Sequence, residues 1–187
     1  MVVTPLREVV DFREKKEDIL SHIQKLRLSY TYIDAGWWYQ LTLPRLPSGR
    51  LDDSLPSVAD IRDVGRYVAK IIADPRTLNK KVHVYNEVLT RNHVYDLITE
   101  DEIRPRIREA KSELEADPSS LHALGTLTTL QLLYSWGIRG DNTPEYADYL
   151  GYLDGKELYL DFEYIMFDDY VKAALGGAVK GAYQTAK

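Results

Sequence analysis

The stretch from Asp60 to Ile98, DIRDVGRYVAKIIADPRTLNKKVHVYNEVLTRNHVYDLI, limits the folds open to this chain more than any other. Asp60 can cap a helix by accepting a bond from a free backbone N–H. Val64, Tyr67, Val68, Ile71 and Ile72 recur at i, i+3, i+4, i+7 and i+8, which gives that helix one apolar face. Pro75 has no N–H and disfavours helix at Asp74, so the helix stops there. After a basic turn, Val82, Val84 and Tyr85 form a short β-prone run. Thr90 can cap a second helix carrying Val94, Leu97 and Ile98. A helix–turn–strand–helix unit of this kind belongs to an α/β domain and by itself names no chemistry.

At 187 residues the chain can bury one real core and sits at the edge of holding two. Its net charge of −5 gives no electrostatic case for nucleic acid or for an anionic membrane surface. It contains no cysteine, which removes disulfides, zinc–thiolate sites and thiol catalysis together. That fits a reducing compartment, and a cytoplasmic location is expected. No apolar run approaches the roughly 20 residues of a membrane helix. The start, MVVTPLREVVDFREKKED, has no apolar core of a signal peptide.

Residues 1–10 read as a loose or strand-like start. Phe12 to Leu26 reads as a helix, with Phe12, Ile19, Leu20, Ile23 and Leu26 on one side. Lys16 falls roughly 30° from the middle of that apolar face and Lys15 roughly 70° away. Lys16 therefore either snorkels to the rim or stands at a pocket wall, where desolvation would make it an acid or base. Tyr30 to Ile33 is strand-like. Gly36 permits a sharp exit from that strand into Trp37, Trp38 and Tyr39. Three aromatics at a strand's carboxyl end either line a ligand site, as in open α/β sheets, or cover a core edge.

Leu43 to Ser57 holds three prolines and a glycine and reads as a surface loop. Glu100 to Glu115 is a strongly charged helix with many i,i+4 opposite-charge pairs. Ser119 to Trp136 is apolar nearly all round and is expected to be buried on several sides. Thr143 can cap a short helix that starts at Pro144. Phe162 to Leu175 holds a last helix, followed by a frayed tail. The 14 tyrosines read as half-buried helix-face residues more readily than as pocket walls. His22, His83, His93 and His122 are scattered with no metal-ligand spacing and read as surface or interface side chains. There is no P-loop, no G-x-S-x-G and no G-x-G-x-x-G after a strand.

Several runs together resemble a known family. They are Phe12-Arg13-Glu14-Lys15-Lys16, Tyr30-Thr31-Tyr32, Asp63-Val64-Gly65-Arg66-Tyr67 and Asp74-Pro75-Arg76-Thr77-Leu78-Asn79-Lys80. They resemble the NmrA-like and isoflavone reductase-like group of atypical short-chain dehydrogenases. Val88-Leu89-Thr90 and the run from Ser135 to Pro144 are similar to its fungal branch. The resemblance implies an α/β fold. Residues 1–98 would be the last strands and helices of a Rossmann-type NAD(P)-binding domain, and 99–187 a mostly helical substrate-binding subdomain. It also implies an NADP-dependent oxidoreductase that reduces a small molecule.

By that resemblance Lys16 is the catalytic acid or base, with Lys15 as its rival. Lys16, Gly36 and Trp37 would touch NADP, and Trp37, Trp38 and Tyr39 would wall the substrate. The nucleotide half and its glycine turn have no counterpart here, so the polypeptide is expected to be inactive by itself. Two other readings go with the family. One is a non-catalytic NADP(H)-sensing regulator with a transcription-factor partner; the other is a degenerate interaction module. Helix faces left bare by the missing half predict homo-oligomers.

Overall fold

A computed structural model describes residues 9–42, 57–88 and 99–179. In chain order the elements are α1 (Asp11–Lys25), β1 (Thr31–Ala35), β2 (Trp37–Trp38), α2 (Tyr39–Thr42), β3 (Ser57–Ala59), α3 (Ile61–Ile72), β4 (Lys80–Val84), β5 (Glu87–Val88), α4 (Glu100–Ala116), α5 (Leu121–Leu133), α6 (Pro144–Tyr149), β6 (Tyr152–Asp154), α7 (Gly155–Leu158) and α8 (Phe167–Leu175). The described residues fall into two compact units, 29–42 with 57–88 and 142–179, and 9–28 with 99–141. The expected loop at 43–56, the second helix capped by Thr90, the start at 1–8 and the tail from 180 lie outside the described residues.

The first unit is α/β. β4 lies between β1 and β6, all three parallel, with Thr31 opposite Lys80 and Lys81 opposite Tyr152. A smaller sheet pairs β2 parallel to β3 and β3 antiparallel to β5. Side chains alternate along β4. Val82 and Val84 turn to one face, where Tyr67 and Ile71 of α3, Tyr159 and Phe162 close the core. The Tyr67 and Phe162 rings stack there at 4.0 Å. On the other face Ala147 of α6 and Tyr152 pack with Tyr32, Tyr146 and Leu150.

The Asp60 cap forms as the sequence predicts, with the carboxylate accepting from Arg62 N–H at 2.8 Å. The buried stripe of α3 is nevertheless Asp63–Tyr67–Ile71, while Ile72 is 75% exposed. An acid occupies the face because its carboxylate ties three segments. It accepts from Asn86 Nδ2 at 2.7 Å, Ile165 N–H at 2.6 Å and Arg66 Nη1 at 2.7 Å.

The run from Asp74 to Lys80 proves to be a weld. Asp74 caps a 3₁₀ turn at Pro75–Thr77. Thr77 Oγ1 donates back to Ile71 O at 2.9 Å, and Thr31 Oγ1 donates to Thr77 O at 3.0 Å. Asn79 takes φ of 58°, a left-handed conformation that asparagine tolerates. Its N–H donates to Tyr30 O, and its side-chain oxygen accepts from Tyr30 N–H. The last helix starts at Phe167, five residues after Phe162. Phe162 is instead held in the core by a turn closed onto Tyr159 O.

In the second unit, α4 starts on Thr99, whose N–H and hydroxyl both reach the Glu102 carboxylate. Glu100 and Arg104 form the expected i,i+4 pair at 2.6 Å. α5 is less buried than its composition implies. Ala123, Leu127, Gln131 and Leu132 are inside, yet Leu121 is 83% exposed. The segment expected to end this helix and begin a loop, Tyr134–Ile138, winds into a π-helical turn that buries Trp136. No helix among the described residues is long and apolar enough to cross a membrane.

Candidate functional site

The carboxyl ends of β1, β4 and β6 carry the polar chemistry of the first unit. β1 leaves its sheet at Gly36, whose N–H donates to Val84 O at 2.8 Å. A Cβ at Gly36 would lie 2.9 Å from Ser57 O and 3.0 Å from Val58 N. Only a glycine lets β3 approach this closely, and the close approach lets Trp37 and Trp38 pair with Val58 and Ala59. Gly36→Ala is expected to cost about 1–3 kcal/mol, because backbone must move on one side or the other. Thermal unfolding checks this, and an unchanged midpoint would mean that β3 slides freely.

Ser57 ties this corner together. Its carbonyl accepts from Asn142 Nδ2 at 3.1 Å, and its hydroxyl faces His83 Nε2 at 3.4 Å. His83 Nδ1 lies 3.2 Å from Asp34 O, so that nitrogen carries the proton and Nε2 accepts. The ring stacks on Tyr85 at 5.0 Å. Burial pushes the His83 pKa down to about 4, against a smaller opposing pull from the Asp34 carbonyl and the Asp34 and Asp154 carboxylates. The imidazole is therefore neutral at pH 7. Tyr152 Oη donates to Asp34 Oδ2 at 2.6 Å, and Tyr85 Oη donates to Asp154 Oδ2 at 2.9 Å. Burial, then the bond to Asp154, pushes the Tyr85 phenol well above its usual value.

Beside this network lies a cleft of about 560 Å³, which His83, Tyr152 and Asp154 share with Glu145, Asp148 and Glu157. Its lining is rich in acceptors. Among the described residues no cluster of histidines and acids fits a metal ion.

Gly36, Trp37, Trp38 and Tyr39 stand in sequence at the strand exit, but none of them lines the cleft. Trp37 and Trp38 are half-buried. Tyr39 is wholly buried, with its ring 5.0 Å from Phe167 and 5.2 Å from Tyr170. Its hydroxyl donates to Glu87 at 2.6 Å, and the same Glu87 oxygen accepts from Phe167 N–H. Burial and Glu87 raise its pKa far beyond any working range. Lys16 belongs to the second unit. It is exposed on α1, with Nζ 5.9 Å from the Phe12 ring centroid.

The expectation that all four histidines lie at the surface fails at His83, which is fully buried. Its place between Val82 and Val84 in a parallel strand was the available signal, since such strands are covered on both faces. His22 and His122 are exposed, and His93 lies outside the described residues.

The described strand ends do not fit a dinucleotide diphosphate, which needs convergent N–H donors at a glycine turn and helix N-terminus. β1 runs through Gly36 directly into β2. β4 ends at Val84, and two residues on stands Asn86, whose Oδ1 is buried without a donor. β6 ends at Asp154, whose carboxylate already accepts from the Lys156 N–H of α7.

No family model matches the chain. The chain is 48% identical over 200 aligned residues to asnovolin J 5',6'-dehydrogenase of Aspergillus novofumigatus, which spans 91% of this chain and 61% of that protein. A solved isoflavone reductase superposes with a TM-score of 0.66 at 25% identity, covering 93% of this chain and 61% of its own. The complex of Vitis vinifera leucoanthocyanidin reductase with NADPH shares the fold, with a TM-score of 0.65 at 16% identity over 93% of this chain and 61% of that one.

Proposed function

From the premise that this chain belongs to the isoflavone reductase-like, NmrA-like family and spans 61% of the length of both the Aspergillus dehydrogenase and the solved isoflavone reductase, we propose that it forms the substrate side of an oxidoreductase. The substrate is a small molecule, and NADP is the redox partner. The observation that carries this reading is the aromatic exit from the parallel sheet. Gly36 delivers Trp37 and Trp38, half-buried, at the carboxyl end of β1, where open α/β sheets take ligands.

On this reading the indoles flank the substrate, and buried Tyr39, locked to Glu87, anchors the segment that presents them. Lys16 holds the proton that Nζ exchanges with the substrate. The donors for a diphosphate come from residues other than those described, and the 187-residue chain by itself is expected to be inactive and to bind NADPH weakly.

The test is a chimera. The chain is joined to the part of the Aspergillus relative that it does not match and assayed for NADP-linked turnover, with asnovolin J as the first substrate. Turnover is expected. Lys16→Ala in the chimera should lower kcat by at least about 10²-fold, the usual worth of a general acid or base. NADPH affinity should stay within a few-fold. Full turnover by the Lys16→Ala chimera, with loss in Lys15→Ala, would move the role to Lys15. Full turnover in both would remove the lysine from the chemistry, and tight NADPH binding by the unjoined chain would refute the division of labour.

A further inference from the structure

The second unit holds a pocket that the proposed chemistry does not use. It has a volume of about 210 Å³ and lies against α4 near the junction of α5 with the π-helical turn. Arg104, Arg108 and Lys111 recur at i, i+4 and i+7, so one face of α4 aims three cations at it. Such a stripe is ordinarily a solvated surface, but here a buried side chain closes the pocket.

Gln131 is only 2% exposed and lines the pocket. Its side-chain oxygen accepts from Asp11 N–H at 3.1 Å. A backbone N–H only donates, so the atom facing it is the carbonyl oxygen and the other end is the NH₂. That NH₂ has no hydrogen-bond partner among the described residues. A donor on a side chain this deeply buried is ordinarily met by an acceptor, and none of the pocket's side chains is a carboxylate.

The cations differ in how far they are committed. Arg104 bonds Glu100 at 2.7 Å and the Tyr134 hydroxyl at 2.6 Å, and that hydroxyl donates onward to Glu100. It is held as a wall over the Tyr134 ring. Lys111 makes a loose pair with Asp11 at 3.7 Å. Arg108 makes no ion pair or hydrogen bond among the described residues. The pocket therefore offers a free guanidinium, a half-free ammonium and a neutral NH₂, with Ile107 and Val9 as apolar sides.

We propose that this pocket binds a small oxyanion, a carboxylate or phosphate group carried on a compact molecule. Arg108 and Lys111 supply the charge, and Gln131 supplies a directional donor. The volume is below the roughly 300 Å³ at which ordinary small-molecule sites begin, which limits the ligand to a compact one.

The experiment titrates the full chain with inorganic phosphate and, separately, succinate by calorimetry at low ionic strength. Saturable one-to-one binding of at least one probe is expected. The better probe assigns the ligand class. Arg108→Gln should weaken binding about ten-fold or more, as loss of a charge-assisted bond does. Gln131→Glu keeps the oxygen that Asp11 needs and replaces the donor with an acceptor, so it should abolish binding. Arg106→Gln, on another face of α4, should leave it within about two-fold. If Gln131→Glu does not fold, the surface variant Arg108→Gln carries the test. Absence of saturation with both probes overturns the proposal, and so does undiminished affinity in Arg108→Gln.

Discussion

Asp63→Ala is expected to destabilise the first unit by roughly 3–5 kcal/mol, the range seen when one partner of a buried charged network is removed. Asp63 is fully buried, and its two oxygens satisfy Asn86 Nδ2, Ile165 N–H and Arg66. The ion pair with Arg66 is the minor part, because that arginine is half exposed and solvent screens it. The larger part is the two donors deprived of this acceptor, buried Asn86 Nδ2 and part-buried Ile165 N–H, each costing about 1–3 kcal/mol. The Asn86 side chain would keep only its bond to Ile165 O, and of its hydrogen bonds to α3 the segment from Glu163 to Ile165 would keep only the one that Arg66 donates to Glu163 O. Asp63→Asn preserves one acceptor and should lose less than the alanine variant. Urea unfolding followed by circular dichroism reads both. A loss below about 1 kcal/mol for Asp63→Ala would show that water replaces the carboxylate at little cost.

The second large effect is one of pH. His83 is neutral in the fold, with its pKa pushed down from 6.5 to about 4 by burial. In the unfolded chain it protonates near 6.5. Between those values the unfolded state binds the extra proton, so stability falls as pH falls through this window. Each pH unit is worth about 1.4 kcal/mol, for a total near 3 kcal/mol. Carboxylates also titrate at the lower end, so the difference between wild type and His83→Asn isolates the imidazole. The asparagine amide can keep the donor to Asp34 O that Nδ1–H supplies. Wild type should lose about 2–3 kcal/mol more than the variant between pH 7 and pH 4.5. Parallel stability curves for the two proteins would mean that His83 protonates in place or that its site opens readily.

Both effects involve residues whose roles the sequence left hidden. Asp63 lies on a helix whose apolar spacing pointed to Val64, Tyr67, Val68, Ile71 and Ile72 as the inner face, and periodicity has no way to register an acid that two distant segments need. His83 follows no ligand spacing and so read as a surface side chain. Gly36 was legible as a turn, but the reason it must lack a Cβ is the Ser57 carbonyl, 21 residues on. Gln131 gave no signal at all, since its partner Asp11 is 120 residues away.

By itself the sequence determined the elements whose signals are local. These are the Asp60 cap, the stop at Pro75, the strand at Val82 and Val84, and the Thr143–Pro144 helix start, where side-chain oxygen meets Tyr146 N–H. Each depends on groups within a few residues, where backbone geometry alone brings donor to acceptor. Through its motif runs it also determined the family and the α/β class. Only the tertiary structure decided which polar groups are buried, which acids hold segments together, and where the clefts lie. Those outcomes depend on partners tens of residues apart, and the cost of burying a charge or donor is set by whether such a partner arrives.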